Sequence, residues 1–170
     1  MMSPAFSPGP MLGALSRAGV RYVVIGGIAA VLQGSPIITQ DLDICYARDD
    51  ENLRTLATAL RELGAKLRGV REDVPFKLDQ RRLKAGDAFT FTTSLGDLDC
   101  RGLPAGTNGY DEIVANCREL EIDGVTVFVA DLDDLIRMKR AAGRPKDRAM
   151  IEDLGALREE IQRREGRRRR

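Results

Sequence analysis

Histidine is absent from all 170 residues, tryptophan is absent too, and aromatic residues make up only 5% of the chain. Without imidazole there is no Ser-His-Asp or Cys-His nucleophile, no histidine general base and no histidine-containing zinc site. Any catalysis must rest on carboxylates, lysines, arginines, hydroxyls, thiols or backbone amides. Cysteine is scarce: Cys45, Cys100 and Cys117 are odd in number, far apart and outside any CxxC spacing. That argues against a disulfide framework or zinc ribbon and for a reducing cytoplasm. No apolar run reaches the roughly 18 residues that span a bilayer, and no basic segment leads into an apolar one at the start. The expectation is a cytoplasmic protein with no membrane partner. The Walker A pattern GxxxxGK[ST] and the Rossmann pattern GxGxxG are also missing.

The composition present is that of an ordinary folded domain, with 43% hydrophobic and 31% charged residues. Residues 1–160 read as one domain, and 161–170 as a basic C-terminal tail. The 27 basic and 26 acidic residues nearly cancel, but unevenly. Ile161 to Arg170 carries six arginines and one glutamate, so +5, leaving about −4 for the remainder. Such a tail suits either a nucleic-acid partner or a solvated helix end that frays. Met1 to Pro10 is rich in Pro, Ser and Gly and is expected to lie loose on the surface.

Local patterns suggest an alternation of strands and helices. Met11–Ala18 is a short helix candidate. Tyr22–Ile25 is an apolar, β-branched run expected to be a buried strand, ending at Gly26-Gly27. Ile28–Gln33 has helical composition and stops at Gly34-Ser35-Pro36. Asp41–Tyr46 alternates polar and apolar residues, as a half-buried strand does. Asp49–Leu63 predicts a helix with a Leu53, Leu56, Ala57, Leu60, Leu63 stripe and Gly64 as its stop. Ala65–Val70, Ala88–Thr93 and Leu95–Arg101 are strand candidates, and 103–109 is a loop. Arg118–Ile122 and Val125–Val129 flank Asp123-Gly124, a strong hairpin signal. Helices follow from Asp131 to Ala142 and from near Pro145 into the tail. The fold class is α/β (α+β), a mixed β-sheet packed by helices.

The acidic residues carry the chemistry. Alternate residues of a strand share a face, so Asp41 and Asp43 project together about 6.6 Å apart, while Leu42 and Ile44 face the core. Like charges on one face repel, and a divalent cation is the simplest compensation. Asp97 and Asp99 repeat the pattern in a second strand. If the two strands are neighbours, three or four carboxylates converge. Gly26-Gly27 between strand and helix lets a backbone approach a ligand closely, or simply makes a tight turn. Cys45 and Cys100, next to the acidic motifs, point to the opposite face as small core residues.

The sequence Val24-Ile25-Gly26-Gly27, followed by Thr39-Gln40-Asp41-Leu42-Asp43, resembles the DNA polymerase β-type nucleotidyltransferase superfamily. Within it, the chain is most similar to small bacterial nucleotidyltransferases of the AbiEii/MenT type, the toxins of toxin–antitoxin systems. The likeness spans roughly residues 11–155. It includes Asp134-Leu135-Ile136-Arg137-Met138-Lys139 and Gly143-Arg144-Pro145-Lys146-Asp147. The resemblance implies a nucleotidyltransferase-type sheet and assigns Asp99 as the third carboxylate beside Asp41 and Asp43. Many relatives carry arginine two residues before the Thr of the motif, where this chain has Ile37.

Helical phase puts Leu132, Leu135, Ile136 and Lys139 on one narrow face, and Asp147 on the face of Met150, Ile151 and Leu154. Lys139 therefore either binds an anion such as a triphosphate or pairs with Asp147 inside the protein. Arg144 and Lys146 either contact nucleotide or RNA or are solvated. Thr39 either caps a turn or bonds near the metals. The expected activity is transfer of NMP from an NTP to a hydroxyl acceptor with Mg²⁺ (or Mn²⁺). Asp41, Asp43 and Asp99 would be the metal and catalytic residues, and Gly26, Gly27, Thr39 and Lys139 the nucleotide-binding ones. The resemblance implies tRNA or another RNA as acceptor and a cognate antitoxin as partner. The competing expectation is a non-catalytic module of the same fold that binds nucleotide, RNA or protein.

Overall fold

A computed structural model describes residues 6–170. The elements follow in the order α1 (Pro8–Arg17), β1 (Tyr22–Ile25), α2 (Gly26–Leu32), β2 (Asp41–Tyr46), α3 (Asp50–Glu62), β3 (Lys66–Leu67) and α4 (Gln80–Ala85). The chain continues with β4 (Ala88–Thr93), β5 (Gly96–Arg101), α5 (Tyr110–Ala115), β6 (Arg118–Ile122), β7 (Val125–Val129), α6 (Leu132–Ala142) and α7 (Asp147–Arg168). The strands form one seven-stranded mixed sheet in the order β3-β4-β5-β2-β1-β7-β6. β2 runs parallel to β5 and β1 parallel to β7, and the other pairs are antiparallel.

The apolar pattern explains the centre of this sheet. All four residues of β1 are buried, as an uninterrupted apolar strand must be. In β2 the alternation holds: Leu42 and Ile44 are fully buried, while Asp41 and Asp43 are not. Helix α3 buries Leu53, Leu56, Ala57 and Leu60, with Asp49 capping it by accepting from the Asn52 amide. Such a cap contributes about 1 kcal/mol. Asp131 and Asp79 cap α6 and α4 in the same way. Gly143 ends α6 with φ +65, a left-handed conformation that glycine adopts without strain. The Asp123-Gly124 hairpin turn has positive φ at both residues, and Asp123 is the only non-glycine residue with positive φ among the described residues.

Several boundaries differ from expectation, each for a local reason. The strand expected over 65–70 shrinks to Lys66–Leu67, because Gly69 turns the chain with φ +75. The Arg68 amide still bonds the Thr90 carbonyl at 2.9 Å. α1 begins at Pro8 rather than Met11, and Ser7 bonds the Leu95 carbonyl at 2.9 Å while Phe6 packs on the core. The loose segment expected over 1–10 is therefore tied down from Phe6 onward; Met1–Ala5 lie outside the described residues. α7 begins at Asp147, after a turn at Arg144–Pro145, and stays helical to Arg168. It does not fray across the tail: Glu160 pairs with Arg163 and Arg164, and Arg118 on β6 approaches Glu165 at 3.8 Å. Helices α4 and α5 had no sequence signal, since six residues are too few for helical periodicity. No helix among the described residues is long and apolar enough to cross a membrane.

Candidate active site: a three-carboxylate cleft

The parallel pairing of β2 with β5 sets Asp41 opposite Asp97 and Asp43 opposite Asp99. All four side chains then point from one face of the sheet. One carboxylate oxygen from each of Asp41, Asp43 and Asp99 lies within 4.8 Å of the others. Asp97 does not join them, for it is held elsewhere: Thr92 Oγ1 donates to one of its oxygens at 3.0 Å and Arg68 takes the other at 2.8 Å. The second arm of Arg68 donates to Asp99 Oδ1 at 2.5 Å.

Glycine is required beside these carboxylates. At Gly26, φ is +67 and a Cβ would stand 2.3 Å from Asp43 Oδ2. At Gly27 a Cβ would meet Thr39 Oγ1 at 3.0 Å. Thr39 in turn donates to Asp41 Oδ1 at 3.1 Å. The glycine pair thus makes the room in which Asp43 and the Thr39–Asp41 contact sit.

The carboxylates line an open cleft of about 720 Å³ between the sheet and the α6–α7 corner. Lys139 lies on its wall with its side chain 20% exposed, and its Nζ stands 3.5 Å from Asp147 Oδ1. Arg144 Nε donates to Asp147 Oδ2 at 2.9 Å. Asp147 is 3% exposed, and the Arg144 hydrogen bond, followed by the Lys139 charge, holds its carboxyl below the usual aspartate range. Of the two alternatives for Lys139, the ion pair is present in the fold. Arg101 and Lys146 also line the cleft, as do Asp87 and the apolar Ile37, Leu103 and Met138.

Burial, then the charges of Asp41 and Asp99, pushes the Asp43 carboxyl up to about 7. Asp99 is raised by burial against the opposing pull of Arg68. A cluster that resists full ionisation, with only hard oxygen donors, fits a hard divalent cation. Cys100 alternates away from Asp97 and Asp99, but the expectation fails for Cys45, which follows Asp43 by two residues and so lies on the acidic face of β2. Both cysteines are buried, and burial pushes the Cys45 thiol up to about 12, so neither is a nucleophile.

A pH dependence follows from Asp43. Its folded-state pKa lies above the unfolded value, so the folded protein holds the proton more tightly. Metal-free protein should lose stability as pH rises from about 4 through about 7, by ~2–4 kcal/mol. Adding Mg²⁺ should restore it, and Asp43→Asn should remove that component. Thermal unfolding in EDTA and in Mg²⁺ across pH 4–8 checks this. Identical pH profiles for wild type and Asp43→Asn would show that Asp43 titrates normally.

Sequence reading missed Arg68 and Arg101. Arg68 follows a two-residue edge strand and reaches its partners across another strand, which no spacing rule anticipates. Arg101 was legible only by extending the Asp97–Asp99 alternation one step further.

Carboxylates on paired strands, against a strand-Gly-Gly-helix turn and beside a lysine-bearing helix, are the arrangement expected of a nucleotidyltransferase. The chain belongs to the family described as "Nucleotidyltransferase of unknown function (DUF6036)", whose pattern matches residues 13–162. No curated protein sequence matches it. Among solved structures it is similar to the lincosamide antibiotic adenylyltransferase LnuA, with lincomycin bound. The two share 13% identity and a TM-score of 0.59 over 90% of this chain and 99% of that one. It is also similar to a putative nucleotidyltransferase from Thermotoga maritima, at 17% identity and TM-score 0.52 over 91% and 89%. A third is ANT(2″)-Ia in complex with adenylyl-2″-tobramycin, at 18% identity and TM-score 0.51 over 91% and 94%. At these identities the likeness is one of fold.

Proposed function

We propose that the protein transfers NMP from an NTP to a hydroxyl acceptor with the help of Mg²⁺ (or Mn²⁺), using Asp41, Asp43 and Asp99. One observation carries the proposal: three carboxylate oxygens from two strands within 4.8 Å of one another. Asp41, Asp43 and Asp99 would hold the cation, which supplies charge neutralisation on the phosphoryl oxygens and the leaving group. Gly26 and Gly27 keep the cleft floor free of side chains where the triphosphate would lie. Thr39 orients Asp41 through its 3.1 Å hydrogen bond. Lys139, tethered by Asp147 yet open to the cleft, faces the triphosphate. The acceptor oxygen forms a bond to the α-phosphorus, the bond to pyrophosphate breaks, and the hydroxyl proton passes toward Asp99. Because the stabilisation is electrostatic, no imidazole is needed.

The acceptor in this proposal is an RNA, such as the 3′ end of a tRNA, and an antitoxin-like protein would neutralise the enzyme in a bacterial cytoplasm. Supporting the RNA acceptor are the cleft cations Arg101 and Lys146 and the arginines of α7. Incubation with labelled NTPs, Mg²⁺ and total tRNA should label RNA, with none transferred to lincomycin or tobramycin. Label on either antibiotic and none on RNA would replace the acceptor. No transfer to anything, with Asp41→Ala binding NTP like wild type, would leave the non-catalytic module as the function.

A further inference from the structure

Arg68, Thr90 and Asp99 stand side by side across three adjacent strands. β3 and β4 pair Lys66 with Thr92, which brings Arg68 level with Thr90, and β4 and β5 pair Thr90 with Asp99. From the sheet edge, the Arg68 side chain crosses β4 to reach β5. One guanidinium nitrogen meets Asp97 Oδ2 at 2.8 Å, and the other meets Asp99 Oδ1 at 2.5 Å. Both Asp97 oxygens are engaged, since the second accepts from Thr92 Oγ1 at 3.0 Å. Asp99, held through Oδ1, also contributes an oxygen to the cluster it shares with Asp41 and Asp43.

We infer that Arg68 and Asp97 are a positioning couple that sets the orientation of Asp99, with Thr92 anchoring Asp97 and Arg68 transmitting the anchor. This deepens the nucleotidyl-transfer proposal and rests on it. It also gives the second acidic pair a division of labour, with Asp99 facing the cluster and Asp97 braced behind it. A guanidinium is needed because its planar fork presents two donors at a fixed spacing, which an ammonium does not. Two opposite effects separate positioning from simple charge balance. If Arg68 were only a counter-charge, its removal would make the cluster more negative and tighten cation binding. If it orients Asp99, removal should weaken binding in spite of the added negative charge.

The test is Mn²⁺ titration of the full chain without nucleotide, beside thermal unfolding. Arg68→Ala should weaken Mn²⁺ binding by about 10-fold or more, as losing the partner of a metal ligand does. Arg68→Lys should behave like Arg68→Ala, and Asp97→Asn, which keeps the shape but replaces one of the two acceptor oxygens with a donor NH2, should weaken binding with little loss of thermal stability. In an Asp99→Asn background, Arg68→Ala should change Mn²⁺ affinity by less than about twofold, because its effect passes through Asp99. Unchanged or tighter Mn²⁺ binding in Arg68→Ala overturns the positioning role alone, as does an equal loss with and without Asp99. If Asp41→Ala and Asp43→Ala bind Mn²⁺ like wild type, the nucleotidyl-transfer proposal falls first and the positioning role with it.

Discussion

Asp43→Asn should reduce nucleotidyl transfer by about 10³-fold or more, and the same change should leave the metal-free protein at least as stable as wild type at pH 8. Both effects have one cause. Asp43 sits where burial and the charges of Asp41 and Asp99 push its carboxyl up to about 7. A carboxylate kept in so unfavourable a place costs folding free energy, which the neutral amide does not. The amide also cannot neutralise a hard cation or support charge stabilisation at the phosphoryl group, where loss of a single stabilising group costs about 10²–10³ in rate. Single-turnover transfer and urea unfolding, done on one preparation, read the two effects together. A variant that is both active and destabilised would mean that the cluster is a structural charge network. Gly26 ties into the same balance, because a Cβ there would stand 2.3 Å from Asp43 Oδ2.

The second large effect is expected at the α6–α7 corner that lines the same cleft. Asp147→Ala should destabilise the fold by about 1–3 kcal/mol, because a buried hydrogen-bonded acceptor is lost while the cations left behind, Lys139 and the half-exposed Arg144, still reach solvent. Asp147 is 3% exposed and takes hydrogen bonds and charge from both Arg144 and Lys139. Its removal leaves two cations facing each other at the α6–α7 corner with nothing between them. Asp147→Asn should cost less, since the amide oxygen still accepts from Arg144. Urea midpoints at unchanged slope check the magnitude. Acid should act as the substitution does: the folded-state carboxyl is held below its ordinary range, so its contribution is present above the unfolded pKa and fades as pH falls through the folded one. A loss under about 1 kcal/mol for Asp147→Ala would mean that water replaces the carboxylate and that the corner is open.

How far the molecule could be read from its residues varied with the range of the interaction. The buried β1 strand, the α3 stripe and the Asp123-Gly124 turn follow from neighbours within a few positions, and all three are present. Strand phase alone separated Asp41 and Asp43 from Leu42 and Ile44, and Cys100 from the acidic face; the same phase puts Cys45 on that face, against expectation. Six-residue helices such as α4 and α5 carry too little periodicity to be seen. The arginine run said nothing of its backbone; pairs such as Glu160–Arg164 and Arg118–Glu165 carry α7 on to Arg168.

By itself, the sequence determined the kind of chemistry available: no imidazole, three cysteines without CxxC spacing, paired aspartates on alternating strand positions, and a glycine pair free of side-chain bulk. These depend on residue identity and on periods of two or three to four residues. Only the tertiary structure decided which aspartates meet and what restrains them. Asp43 and Asp99 are 56 positions apart in the chain, and Arg68 reaches Asp99 across an intervening strand. Such pairings depend on strand register and on side-chain reach through space, and neither leaves a mark in the local order of residues.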